Sequence, residues 1–322
     1  MTDSGKVIVI GGPTASGKTV LSIELARRFD GEIVSADSMQ IYRGMDIGTA
    51  KASPAERSAA VHHMIDTVSP DADYSVSAYV DAAAAVCDDI LSRGKVPIIA
   101  GGTGLYIDSL LSGRDFGGGG TDSALRDTLE ARYAAEGGEA MLDALSRFDP
   151  DRAALLHASD RKRIIRAFEV YLSSGETITE HDRRTKALPP RYSSLRIVTG
   201  YRDRELLYSR INQRVDDMFS AGLEDEVRSL LAAGVPEAST AMQAIGYKET
   251  AQYIKGELTL PEAVELIKQS SRRYAKRQLT WFRRWDDALW LYRDDENPAD
   301  IPAAVSAFLL QQHRPMPQRT PS

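Results

Sequence analysis

The chain opens on a short apolar run, Val7 to Ile10 within KVIVIGG, which reads as a strand. A glycine-containing turn follows. The segment TVLSIELARRF then spaces Val20, Leu21, Ile23, Leu25 and Phe29 as a helix packed on a sheet would. GEIVSAD reads as a second strand, a helix is expected around residues 77–93, and KVPIIAGGTG reads as a further strand ending in a turn. Strands alternating with helices predict an α/β fold with a parallel sheet flanked by helices, since parallel strands need long crossovers.

From about residue 113 the pattern changes. Gly117 to Gly120 form a glycine tract, and charge-rich helical segments without convincing strands run to Pro189 and Pro190. This predicts an inserted helical domain over 113–194, flanked by a core made of 1–112 and 195–310. LRIVTGY (195–201) is expected to return the chain to the sheet, followed by helices near 203–221, 223–233 and 261–285. Residues 311–322, QQHRPMPQRTPS, read as a disordered tail.

Composition narrows the class. The chain has 322 residues, 43% hydrophobic and 27% charged, which fits a folded globular protein able to bury a large core. No apolar stretch approaches twenty residues, and the N-terminal segment lacks the features of a secretory signal. A cytoplasmic protein without a membrane association is expected. The single cysteine, Cys87, excludes an intrachain disulfide and reads as a buried helix thiol.

Net charge is −6, which by itself argues against indiscriminate attachment to nucleic acid. The distribution argues the other way. Residues 160–214 carry thirteen Lys/Arg against seven Asp/Glu, and RRYAKRQLTWFRR (272–284) carries six basic residues and no acid. Each run taken alone also reads as a solvated helix face.

The strongest chemical signal is Gly12-Pro13-Thr14-Ala15-Ser16-Gly17-Lys18-Thr19, which satisfies G-x-x-x-x-G-K-T between a predicted strand and a predicted helix. In that setting backbone N–H groups surround phosphate oxygens, the helix N-terminus adds partial positive charge, and Lys18 adds a full one. Thr19 is placed to ligate a Mg²⁺ held by the same phosphates. The fold expected is therefore a P-loop NTPase-like sheet. The motif leaves open whether a nucleoside triphosphate or a prenyl diphosphate supplies the phosphates.

Beyond the second strand comes SADSMQIYRGMDIGTAK (35–51). Together with GPTASGKT and GGTGLY it closely resembles the tRNA dimethylallyltransferase family. RINQRVDDMFSAGLEDEV, AIGYKE and YAKRQLTWFRRW extend the resemblance in matching order over roughly 7–290. The resemblance implies transfer of a dimethylallyl group from its diphosphate to the adenosine immediately 3′ of the anticodon (position 37), with the tRNA anticodon stem-loop as partner and Mg²⁺ as cofactor. The chain is expected to act as a monomer.

By the same resemblance, Asp37 contacts the adenine amine, where a carboxylate can accept the proton released as the C–N bond forms. A Mg²⁺ ligand or a helix cap is the alternative reading of Asp37. Thr103 ends a predicted strand and is expected to point into the same crevice; the resemblance has it contact the adenosine, while the turn alone reads as structural. Arg210 and Arg214 share a helix face at i and i+4. A surface pair is the reading without the resemblance, which instead implies that Arg214 contacts the diphosphate, with Lys18, Arg214, Asp37 and Thr103 forming the catalytic set. Implied tRNA contacts are Asp37, Ser38, Met39, Gln40, Thr103, Arg126, Arg161, Lys162, Arg163, Ile164, Ala244, Ile245, Gly246, Tyr247, Lys248 and Glu249.

Where the family often has Asp-Pro-x-Arg, this chain has Asp160-Arg161-Lys162-Arg163. His62 and His63 would point to opposite faces of a strand and are assigned no metal.

Overall fold

The computed structural model describes residues 5–112, 123–186 and 188–311. The chain divides into two compact units, one formed by Met1–Leu111 with Arg191–Ser322 and the other by Ser112–Pro190. The glycine tract at 117–120 and the tail beyond 311 lie outside the described residues.

The first unit begins with β1 (Lys6–Gly11), α1 (Lys18–Arg28), β2 (Gly31–Ser35), α2 (Pro54–Ala59), β3 (His62–His63), α3 (Val76–Ser92), β4 (Val96–Ala100) and α4 (Gly104–Leu111). The second unit contains α5 (Ser123–Ser146), α6 (Pro150–Ala153), α7 (Arg161–Ser174) and α8 (Ile178–Lys186). The first then resumes with β5 (Ser193–Gly200), α9 (Arg204–Ser220), α10 (Leu223–Ala232), α11 (Tyr247–Ile254), α12 (Leu260–Phe282), β6 (Leu289–Tyr292) and α13 (Ile301–Leu310).

The six strands form one sheet in the order β3-β2-β4-β1-β5-β6, with every pairing parallel. The parallel α/β expectation therefore holds. β1 lies between β4 and β5, and Val7, Ile8, Val9 and Ile10 are fully buried, which is why it reads as a continuous apolar run. Each such side chain contributes about 1.5–3 kcal/mol by leaving water. Leu21 and Leu25 of α1 pack with Ile8, Ile33, Ile98 and Ile197 on one face of the sheet.

Several boundaries differ from expectation. β5 begins at Ser193, before the apolar run, because the backbone of Ser193 and Ser194 pairs with Lys6 and Val7. α12 stops at Phe282 rather than 285, and the chain turns there with Trp285 buried. β6 was not expected: LWLY is only four residues long, and it pairs with Ile197 to Gly200.

The second unit has its own core of Leu129, Met141, Leu145, Ile164, Ile165 and Phe168. Cys87 is buried on α3, where burial pushes its thiol up to about 12. Among the described residues, no helix is long and apolar enough to cross a membrane.

Candidate active site

The cradle forms because the chain must reverse tightly between β1 and α1. Gly12 has φ 147°, and a Cβ there would lie 2.5 Å from the Thr199 carbonyl oxygen. Gly17 has φ 82°, and between them Ala15 also takes a positive φ of 61°. A left-handed non-glycine residue is strained, and such strain is sustained where the surroundings hold it. Ser16 does so: its buried hydroxyl donates to the Pro13 carbonyl at 2.8 Å and lies 2.6 Å from Thr199 Oγ1.

Gly17 is the residue before α1, and no side chain caps that helix end. Its first N–H groups and partial positive charge therefore face the cradle. Lys18 Nζ lies over the loop, donating to the carbonyls of Gly12 at 3.0 Å and Pro13 at 2.7 Å.

The cradle opens into a cleft of about 680 Å³ within the first unit. Thr14 to Thr19, Asp37 to Gln40, Arg210, Arg214, Ala244 and Ile245 line it. Burial lowers the Lys18 pKa to about 8; the Arg214 charge pushes the same way and Asp37 pushes back. Burial likewise lowers the Arg214 pKa, again opposed by Asp37. Lys18, Arg214 and Asp37 thus share one electrostatic environment. Arg210, the other member of the helix pair, is exposed at the rim.

Asp37 follows β2, and its Oδ1 accepts the Met39 backbone N–H at 2.9 Å, an arrangement that fixes the carboxylate on its own turn. Thr103 stands beside the cleft, bonded to the residue next to Asp37. Its Oγ1 accepts the Ser38 N–H at 3.0 Å and is 3.3 Å from the Ser38 hydroxyl, so the side chain braces the residue beside Asp37.

Three contributors carried no signal of their own in the sequence. Gln278 is buried; its Oε1 accepts the Thr14 N–H at 2.9 Å and its Nε2 donates to the Gly102 carbonyl at 3.0 Å. Tyr274 lines the cleft and bonds to Thr103 and Gln278, and burial pushes its phenol up to about 12. Glu226 accepts the backbone N–H groups of Asp46, Ile47 and Gly48 at 2.8–3.2 Å, holding the loop that supplies Gly48, Thr49 and Ala50 to the cleft wall. Gln278 and Tyr274 lie within YAKRQLTWFRRW and Glu226 within RINQRVDDMFSAGLEDEV, segments that carry the family resemblance, but neither charge nor spacing singles out these three residues inside them.

The remaining sequence-derived candidates fall into three groups. Ser38, Met39, Gln40, Ala244 and Ile245 line the cleft. Gly246 precedes α11, donating its N–H to Glu249, and Lys248 is exposed, whereas Tyr247 is buried with its hydroxyl on Glu226. An RNA contact from the Tyr247 or Ile164 side chain is excluded by burial in apolar cores.

In the second unit Arg161, Lys162 and Arg163 are exposed at the start of α7. Arg161 pairs with Glu130 and lies over the Tyr133 ring, and Arg126 pairs with Glu169 at 3.3 Å.

For a divalent ion the donor set fits in one way. Among the described residues no group of three His, Cys, Asp or Glu side chains could hold a metal. The Thr19 hydroxyl, lining the cleft beside Lys18, would share the ion with substrate phosphate oxygens, the ligation Mg²⁺ prefers. His62 Nδ1 lies 2.8 Å from the Ala60 carbonyl and His63 Nε2 lies 2.8 Å from Glu32, so the two rings serve different partners.

A parallel sheet, a glycine-rich phosphate cradle at the end of β1 and a cationic cleft above it define a P-loop-type enzyme that handles a diphosphate. Comparison with known proteins narrows the class. The IPP transferase family model matches residues 40–285, the isopentenyl transferase model matches residues 5–67, and the chain belongs to the IPP transferase family.

The chain is 47% identical over 289 residues to the tRNA dimethylallyltransferase of Acetivibrio thermocellus, covering 90% of this chain and 92% of that one. It is 49% identical over 285 residues to the tRNA dimethylallyltransferase of an Exiguobacterium species, covering 88% and 89%. Its fold matches the full-length tRNA isopentenylpyrophosphate transferase of Bacillus halodurans with a TM-score of 0.68 at 39% identity, covering 95% and 94%. It also matches a eukaryotic dimethylallyltransferase acting on tRNA with a TM-score of 0.80 at 30% identity, covering 94% and 78%.

Proposed function

We propose that this protein transfers the dimethylallyl group of dimethylallyl diphosphate to the exocyclic amine of the adenosine immediately 3′ of the anticodon (position 37) in tRNA. The products are N6-isopentenyladenosine and diphosphate. The observation that carries this reading is the meeting of Lys18, Arg214 and Asp37 in one cleft. Two cations suit a diphosphate leaving group, and one carboxylate suits an amine that must lose a proton.

In the reaction the allylic C1–O bond breaks, with its electron pair going to the diphosphate oxygen. The amine nitrogen forms the new bond to C1 and its proton passes to Asp37. Lys18 and Arg214 oppose the charge that grows on the bridging oxygen, so they favour the transition state over the bound substrate. Mg²⁺ bound at Thr19 and the diphosphate would neutralise further leaving-group charge.

The target base must leave the anticodon-loop stack, at a cost of a few kcal/mol. Ser38 to Gln40 and Ala244 to Glu249 are the stretches that would receive it, with Arg126 and Arg161 to Arg163 supplying backbone charge from the insert. The protein acts on its RNA as a monomer in the cytoplasm.

The test is incubation with radiolabelled dimethylallyl diphosphate, Mg²⁺ and unmodified tRNA, with AMP in place of tRNA and Asp37→Ala as controls. Label in tRNA that requires Asp37 is the expected result. Label in AMP alone would reassign the acceptor to free nucleotides, and ATP-dependent phosphorylation without prenyl transfer would make the protein a kinase.

A further inference from the structure

Lys18, Thr19, Asp37 and Gln40 line the main cleft and also a small cavity of about 50 Å³. Ser22, Ser35 and His62 complete the polar part of its lining. A water molecule takes about 30 Å³ in the liquid, so the cavity admits one or two.

His62 is held on β3 in register with Ile33. Its Nδ1 lies 2.8 Å from the Ala60 carbonyl, and because a carbonyl only accepts, Nδ1 carries the proton. Burial holds the ring below the ordinary histidine range, with Arg57 and His63 pushing the same way against the Ala60 bond and Glu56. A neutral ring protonated at Nδ1 presents Nε2 as an acceptor, yet Nε2 is buried and has no protein partner.

Of the other polar side chains in the lining, four make bonds elsewhere. The Ser22 hydroxyl donates to the Thr19 carbonyl, the Ser35 hydroxyl to Gln40 Oε1, Gln40 Nε2 to the carbonyls of Thr49 and Ala50, and Lys18 to Gly12 and Pro13. A buried acceptor left unpaired loses its hydration without compensation, and a polar cavity of this size lets water restore the missing bond.

We propose that this cavity holds water hydrogen-bonded to His62 Nε2 and to the Asp37 carboxylate, and that His62 is thereby a positioning residue for prenyl transfer. The water donates to Nε2 and to the carboxylate. With Oδ1 held by the Met39 amide and the cavity side held by water, the carboxylate keeps a lone pair directed at the cleft. The inference rests on the reaction proposed above.

Two variants separate positioning from structure. His62→Asn keeps a donor for the Ala60 carbonyl and loses the atom facing the cavity, while His62→Gln keeps an acceptor near the Nε2 position and loses the Ala60 donor. The expected result is that His62→Asn lowers kcat about tenfold with both KM values within about twofold, and that His62→Gln stays within about twofold of wild type. Wild-type kcat in His62→Asn, or a loss in His62→Gln as large as that in His62→Asn, overturns the proposal.

A crystal structure of the wild-type protein at a resolution that shows waters is the second measurement. Density bridging His62 Nε2 and Asp37 is expected, and an empty cavity overturns the proposal whatever the variants do. Wild-type protein that prenylates no tRNA rejects the reaction instead, and the crystallographic water is read independently of that outcome.

Discussion

Thr14 and Gln278 are 264 residues apart and joined by a 2.9 Å hydrogen bond, the Thr14 backbone N–H donating to Gln278 Oε1. Through Nε2 the same side chain holds the Gly102 carbonyl, so one buried amide ties the phosphate cradle to the turn after β4. Gln278→Leu keeps the bulk and strands one donor and one acceptor. Unfolding free energy should fall by about 2–4 kcal/mol in urea melts, with a raised KM for dimethylallyl diphosphate. An unchanged KM would remove Gln278 from the site and leave it a packing residue.

The Asp37 charge opposes the lowering of the pKa of both Lys18 and Arg214. Asp37→Asn keeps the shape and the Met39 turn while removing the proton acceptor. Single-turnover prenyl transfer should slow by roughly 10²–10⁴, with tRNA affinity in filter binding nearly unchanged. Equal losses in rate and tRNA affinity would make Asp37 a binding residue.

Lys18 gives the cleft a pH signature. With its pKa lowered to about 8 in the free protein, the ammonium is charged below that pH and progressively neutral above it. A diphosphate favours the charged form and raises the pKa again, so binding above pH 8 takes up a proton. Affinity should therefore fall as pH rises, by up to about tenfold per pH unit for one proton. Calorimetry in two buffers of different ionisation enthalpy reads the uptake directly. Lys18→Arg, which cannot titrate, should abolish the slope; a wild-type profile flat from pH 7 to 9 would refute the linkage.

The fold was legible where one residue's neighbours in sequence are also its neighbours in space. The run Val7 to Ile10 is buried on both faces, and the Gly12 to Thr19 loop follows from local backbone demands. Arg214 is different: its helix spacing alone reads as a surface pair with Arg210, and although both line the cleft, Arg210 stays exposed at the rim while Arg214 is partly buried, a difference that i, i+4 spacing does not carry. Gln278 and Glu226 were illegible because their partners are backbone groups far away in sequence, which leave no periodicity. β6 was missed because its four residues need β5 as a template. Tyr247 shows the opposite failure: a position matching a motif is taken up by core packing and a hydrogen bond to Glu226.

Lys162 and Arg163 open α7 with exposed side chains, and Arg163 lies 3.7 Å from Asp160. If they track the RNA backbone, replacing both with alanine should weaken tRNA binding about tenfold. The slope of log K against log salt should become shallower by about 1–2, with kcat at saturating tRNA unchanged. A salt slope equal to that of wild type would make the basic start of α7 a solvated surface.

Glu226 holds the far wall of the cleft by one carboxylate. It accepts three consecutive backbone N–H groups, from Asp46, Ile47 and Gly48, and the Tyr247 hydroxyl as well. The wall in turn offers the Thr49 carbonyl to Arg214 at 3.4 Å. Glu226→Gln nearly conserves volume but turns an amide N–H₂ toward groups that themselves donate. Charge-assisted bonds are lost and donors are opposed, so stability should drop by about 2–4 kcal/mol. Tyr247→Phe removes a single bond and should cost about 1 kcal/mol. If the wall matters only for stability, prenyl transfer by Glu226→Gln should be normal at low temperature; because the loop positions Thr49 against Arg214, a lowered kcat/KM for dimethylallyl diphosphate is expected even where the variant is fully folded. Steady-state kinetics at a temperature well below both melting transitions decides between these outcomes.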